Sequence, residues 1–182
     1  MREPSDEDLM ARVAGGDQPA FRVLSDRYAV RAVALARRFL GSEADAEEIA
    51  QEALLRVWRA APRWQPTAAF GTWFYRIVVN LCLNHRRRTP FSALEEAGEP
   101  VDPQPDAQAR LERRDETQRL AAAIAALPPR QRAVVLLTYW EGLSNSRTAE
   151  VLGTSVGGVE TLLVRARKAL RGSLGHRVFS GD

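Results

Sequence analysis

The side chains able to do chemistry in this chain are concentrated in three segments. In the first, Asp45-Ala-Glu-Glu-Ile-Ala-Gln-Glu-Ala-Leu-Leu-Arg-Val-Trp58, the spacing of Asp45, Glu48 and Glu52 puts all three on one outer face of a helix, opposite Ile49, Ala53 and Val57. A row of carboxylates suits acid–base catalysis, a basic protein partner or simple hydration, and it repels phosphate. No histidine, nucleophile or metal ligand accompanies it in the segment, so catalysis is the weakest of the three readings.

The second segment, residues 70–88, packs Phe70, Trp73, Phe74 and Tyr75 into six residues and closes on Arg86, Arg87 and Arg88. Aromatic rings stack on unpaired bases, Asn80 or Asn84 can read base edges, and arginines hold a backbone, so the composition suits single-stranded nucleic acid. The competing reading is that most of these rings are core. For Trp73 and Ile77, which share a face, core is the expectation, and Cys82 is read as a small core residue. With one cysteine and two histidines (His85, His176), the chain can supply neither a disulfide framework nor a four-ligand zinc site, and no metal or cofactor is expected.

The third segment has the outline of a helix-turn-helix: Ser144 to Leu152, then Gly153 and Thr154, then Ser155 to about Arg171. At 100° per residue, Val156, Val159, Leu163, Ala166 and Leu170 form one core-facing stripe. The opposite face carries Gly157, Thr161, Val164, Arg165 and Lys168, with Arg167 and Arg171 on a flank where they reach phosphates. An ordinary amphipathic helix with a solvated basic face is the alternative, and the outline favours DNA binding over it.

The elements that must position these segments follow from capping and periodicity. Of the 182 residues, 45% are hydrophobic and 27% charged, which excludes a disordered or collagenous chain. Apolar runs such as Ala133 to Leu137 are far too short to span a membrane, and the charged start Met1 to Asp8 has no apolar signal core behind it, so the chain is expected to be cytoplasmic, with no membrane insertion. No segment shows the sustained alternation of a strand, and the expected fold class is all-α. Ser5 with Asp8 predicts a capping box and a short helix stopping at Gly15 and Gly16; Asp17 with Pro19 predicts a longer helix to Gly41. Ser42 with Asp45 repeats the box, for a helix to about Ala60, and another helix is expected over 70–88. Beyond these, helices are predicted from about Asp106 to Ala126 and from Arg130 to Glu141, the latter ended by Gly142.

Charge is unevenly distributed. Residues 1–90 hold 14 basic and 11 acidic groups, residues 91–110 hold 1 and 5, and residues 111–182 hold 11 and 7. Thr89 to Ala109 also contains four prolines (Pro90, Pro100, Pro103, Pro105), the composition of an extended tether. The expected organisation is therefore a helical unit over 1–90, an acidic linker over 91–110 and a smaller helix-turn-helix unit over 111–182. Lys168 is the only lysine; a chain whose cations are otherwise arginines suits phosphate and guanine recognition, and a GC-rich genome would produce the same bias.

Taken in order, several short motifs resemble the extracytoplasmic-function group of bacterial RNA polymerase sigma factors. They are Gly16-Asp17-Gln18-Pro19-Ala20-Phe21, Asp45 to Glu52, Thr72-Trp73-Phe74-Tyr75-Arg76-Ile77 with Asn80, Leu127-Pro128 with Arg130-Gln131-Arg132, Glu141-Gly142-Leu143-Ser144, and Arg165-Ala166-Arg167. The resemblance covers nearly the whole chain. It implies a non-enzymatic factor that binds core RNA polymerase, directs it to promoter DNA and is held inactive by an anti-sigma factor. On the same resemblance, Asp45, Glu48, Gln51 and Glu52 would contact core polymerase; Trp73, Tyr75, Arg76, Asn80, Asn84, Arg86, Arg87 and Arg88 would melt and read the minus-ten element; and Gly157, Thr161, Arg165, Arg167, Lys168 and Arg171 would read the minus-thirty-five element as duplex. The chain departs from the family's pattern at Glu160 and Leu162, where basic residues are common, and at Ser146 and Arg147, where an acidic pair is common. A stand-alone helix-turn-helix regulator would account for residues 111–171 only.

Overall fold

A computed structural model describes residues 3–88 and 107–174. Among these residues the chain is entirely helical: α1 (Asp6–Ala14), α2 (Gln18–Leu40), α3 (Glu43–Ala60), α4 (Phe70–Arg88), α5 (Ala107–Ala126), α6 (Pro129–Val135), α7 (Asn145–Leu152) and α8 (Val156–Leu174). Most of the acidic linker lies outside the described residues; its last part is helical, because α5 already begins at Ala107.

The caps fall where the short polar residues predict them. Ser5 and Asp8 form a reciprocal capping box at α1, and Asp17 accepts the backbone N–H of Ala20 at the start of α2, where Pro19 occupies the first turn. Gly41 ends α2 at φ 81°, a left-handed conformation that glycine adopts without Cβ strain. Ser42 caps α3 by accepting from Asp45 N, but the Asp45 carboxylate faces His85 on α4 at 3.3 Å. The second box is thus only half built, because a tertiary partner claims its acid.

Two local features depart from the simple periodic reading. A 3-10 turn, Ala61–Arg63, follows α3 at Pro62, and α6 continues into a π turn, Leu136–Trp140. The wide turn is closed by Glu141 N donating to Leu136 O, and Gly142 at φ 65° then reverses the chain.

The apolar stripes predicted for α3 and α8 are buried, with Ile49, Ala53 and Val57 inside one and Val159, Leu163, Ala166 and Leu170 inside the other. Val156 is the exception, at 42% exposure: it opens α8 one turn before the helix meets its neighbours. The buried residues on both sides of the linker form one continuous cluster. Arg132 sits in that cluster with 1% of its surface exposed. It donates to the carbonyls of Ile124 and Leu127 at the end of α5 and of Phe39 at the end of α2. These are the negative ends of two helix dipoles, which offset part of the cost of burying a cation without a carboxylate partner. Burial, with Arg86 nearby, lowers its pKa to about 10, so it remains charged at neutral pH.

Candidate nucleic-acid interface

The helix-turn-helix is built by three local devices. Ser144 caps α7 by accepting from Arg147 N at 3.3 Å, Gly153 at φ 60° makes the left-handed turn, and Ser155 accepts from Gly158 N at 3.1 Å to start α8. With Val159, Leu163, Ala166 and Leu170 buried, Gly157, Glu160, Thr161, Val164, Arg165, Lys168 and Arg171 face solvent. Thr161 donates its hydroxyl proton to Gly157 O at 2.8 Å, leaving its oxygen as an acceptor, and Arg167 leans back on Leu163 O at 3.4 Å. Arg165 and Lys168 make no ion pair among the described residues. Val164, beside Arg165, is 60% exposed. Of the two departures in this helix, Leu162 turns inward and packs on the core, whereas Glu160 is exposed.

In α4 the rings divide differently from the periodic expectation. Phe70, Phe74 and Tyr75 are buried, with Phe70 and Phe74 stacked at 6.1 Å, whereas Trp73 and Ile77 are only partly buried. Trp73 packs at a tilt against Phe70 and Trp64, at 5.8 and 6.1 Å between ring centres, and keeps some of its surface accessible. Steps of four, three, four and three carry Trp73, Ile77, Asn80, Asn84 and Arg87 along one side of the helix, with both amides and Arg87 exposed. Arg86 is partly buried and already engaged, and the side chain of Arg88 lies outside the described residues.

Tyr75 and Arg76 are turned elsewhere. The Tyr75 hydroxyl donates to Glu141 at 2.5 Å, and burial followed by this bond pushes its pKa up. The Arg76 guanidinium donates twice to the carbonyl of Glu150 at the end of α7. The stacking role expected of Tyr75 therefore does not fit its position here: the ring is 4% exposed and the second helical unit covers it. Sequence periodicity could not reveal this, since the covering residues lie more than sixty positions away.

The acidic face of α3 is also modified by partners. Glu48 and Gln51 are exposed as expected, Glu52 pairs with Arg56 at 2.7 Å, and Asp45 is drawn toward His85 and away from the outer stripe. Glu47, which the spacing argument passed over, is exposed beside Glu48. Among the described residues no group of three or more His, Cys, Asp or Glu side chains could hold a metal ion, and no helix is long and apolar enough to cross a membrane. Cys82 is fully buried, and burial raises its thiol pKa to about 12.

An exposed basic helix thus lies behind a glycine turn in one unit, and a helix bearing exposed amides and a partly accessible tryptophan lies in the other. Residues 24–90 match the Sigma-70 region 2 family and residues 117–170 the Sigma-70, region 4 family. The chain is 36% identical to the ECF RNA polymerase sigma factor SigM of Mycobacterium tuberculosis, over 96% of this chain and 87% of that protein. It is 30% identical to the ECF RNA polymerase sigma-E factor of Escherichia coli, over 91% and 92% of the two. Among solved structures it resembles CnrH in complex with the cytosolic domain of CnrY, with a TM-score of 0.71, 30% identity and coverage of 94% and 97%. The chain belongs to the extracytoplasmic-function RNA polymerase sigma factors, a non-enzymatic class that binds RNA polymerase and promoter DNA. A stand-alone helix-turn-helix regulator is thereby set aside, since the first half of the chain has its own match to a sigma region.

Proposed function

We propose a division of labour within this sigma factor. Residues 1–90 bind core polymerase through the Glu48, Gln51 and Glu52 face of α3, with Asp45 at its edge, and melt and read the minus-ten element through α4. Residues 111–182 read the minus-thirty-five element through Gly157, Thr161, Arg165, Arg167, Lys168 and Arg171, and residues 91–110 link the two. The observation that carries this reading is the outward face of α8: a basic, solvent-exposed surface set behind a capped glycine turn, with its apolar face locked in the core. For the minus-ten element, Trp73, Asn80, Asn84 and Arg87 form the accessible side of α4, and Arg86 and Arg88 lie at its end. Tyr75 and Arg76, engaged by Glu141 and Glu150 of the second unit, lie off that surface. Linking two weak DNA contacts raises the effective concentration of each for the other.

The protein acts in the cytoplasm, where polymerase and promoter are, and is held in check by an anti-sigma factor. Support for that regulator comes from CnrH, solved with the cytosolic domain of CnrY. The deciding experiment is run-off transcription with core polymerase on fragments of the source genome: defined start sites that require this chain are expected, and their absence on every fragment would refute the proposal.

A further inference from the structure

The helix assigned to minus-ten reading starts without a cap of its own. Trp73 N donates to Ala69 O, so Ala69 holds the N-cap position of α4, and its methyl side chain offers no acceptor to the unpaired N–H groups of the first turn. By contrast, α1, α2, α3 and α7 are capped by Ser5, Asp17, Ser42 and Ser144. The missing acceptor comes from α1: Phe70 N donates to the Glu7 carboxylate at 3.0 Å, across 63 positions of chain. A carboxylate suits that place, because the N-terminal end of a helix carries partial positive charge. Asp6, beside it, accepts from the Tyr28 hydroxyl at 2.5 Å and from Arg27 at 2.6 Å, which fixes the first turn of α1 on α2. Tyr28 in turn lies under the start of α4. Its ring meets those of Phe70 and Phe74 at 5.1 and 5.0 Å between centres, and a Cβ at Gly71 would stand 3.1 Å from its hydroxyl oxygen, so glycine there permits the close approach.

We propose that Glu7 is a positioning residue for minus-ten reading: as the tertiary cap of α4 it fixes that helix's first turn, and with it Trp73 and residues 64–69 leading in. The inference rests on the assignment of α4 to the minus-ten element. Trp73 follows the capped Phe70 N–H within one turn and packs on the Phe70 and Trp64 rings, so its accessible edge is held only as firmly as that turn. Asn80 and Asn84 lie nearly three turns or more further on, inside regular helix, and depend on the cap less. Without the Glu7 acceptor a part-buried N–H is left unpaired and the first turn frays. The turn must then be reordered at each promoter opening, which lowers initiation and loosens the fit of the melted strand. The acidic residues Asp6 and Glu7 thus join three helices, α1, α2 and α4, at the point where the reading helix begins.

The test uses the full chain. Hydrogen exchange on the free protein reads the cap. The amides of residues 70–72 should exchange about fivefold faster in Glu7→Ala, the factor that loss of one helix cap corresponds to. Glu7→Gln keeps an acceptor oxygen and should stay within about twofold of wild type, since amide and carboxylate caps rank together. Transcription with core polymerase, from a start site found by run-off and varied base by base at its minus-ten element, reads the function. Glu7→Ala should initiate about fivefold less well on duplex and relax selection at one minus-ten base, and Glu7→Gln should restore both. Asp17→Ala, which removes a cap of the same kind from α2, is the control for lost stability: it should lower the melting temperature comparably and leave exchange at 70–72 and base selection at their wild-type values. Unchanged exchange in Glu7→Ala overturns the cap, and so does a Glu7→Gln variant that loses as much as Glu7→Ala. Faster exchange with unchanged initiation and selection overturns the positioning role if Trp73→Ala and Asn80→Ala do lose selection. If those two are silent as well, the assignment of α4 has failed, and the positioning role falls with it.

Discussion

The recognition helix makes the sharpest quantitative prediction, because the same exposed face carries Arg165 and, on its flank, Glu160. Arg165 has no ion-pair partner to lose among the described residues, so Arg165→Ala removes a DNA contact without breaking an internal one. If it reads a base, affinity falls by about 1–3 kcal/mol, roughly five- to 150-fold, and preference relaxes at one position. Glu160→Arg acts in the opposite direction. It removes a negative charge facing the phosphates and adds one cation, so the slope of log affinity against log salt should steepen by about 0.9. Between about 50 and 200 mM salt, that extra slope changes affinity by roughly 3.5-fold beyond the wild-type loss. The assay is fluorescence anisotropy of the full chain on matched and single-mismatch minus-thirty-five duplexes across a salt series. An unchanged affinity and base preference for Arg165→Ala would show that α8 does not enter the groove by this face; an unchanged salt slope for Glu160→Arg would place that flank away from phosphate.

Three further outcomes are expected. Glu48→Arg with Glu52→Arg should lose competition for core polymerase with only a small change in melting temperature, because Glu48 is exposed and the Glu52–Arg56 pair is a surface i,i+4 pair worth about 0.3–0.5 kcal/mol; competition equal to wild type would mean that the face is merely hydrated. Asn80→Ala should reduce initiation on duplex promoters and weaken selection at one minus-ten base, with rescue on a pre-melted template if opening is the main defect; unchanged transcription and preference would remove Asn80 from the site. The Ala20 N–H bond, followed by Arg12, holds the Asp17 carboxyl below its usual pKa. Its stabilising effect should therefore be complete above about pH 4 and disappear as pH falls through the lower folded value. An Asp17→Asn variant should show a flatter acid limb in denaturant titrations, and an identical limb would contradict the assignment.

Local signals and long-range ones separate cleanly in this chain. Ser5, Asp17, Ser42 and Ser144 each cap the helix they announce, and Gly41 and Gly153 take the left-handed turns that only a residue without a Cβ adopts at no cost. Those rules act within four residues, so they can be read from a string of letters. The apolar stripes of α3 and α8 obey the same logic through helical periodicity, and they failed only at Val156, where the helix had not yet reached its neighbours.

The amino-acid sequence by itself determined the all-helical class, the capped starts of the helices, the helix-turn-helix and the family, because each depends on residue spacing along one helix or on motifs in order. Only the tertiary structure decided which α4 rings are accessible, where the Asp45 carboxylate goes, and that Arg132 is a buried cation bridging the ends of α2 and α5. Tyr75 and Glu141 are 66 positions apart and Arg132 and Phe39 are 93 apart. No periodicity links such pairs. Their meeting depends on the packing of whole helices, and so does the choice between a stacking surface that is open and one that is covered.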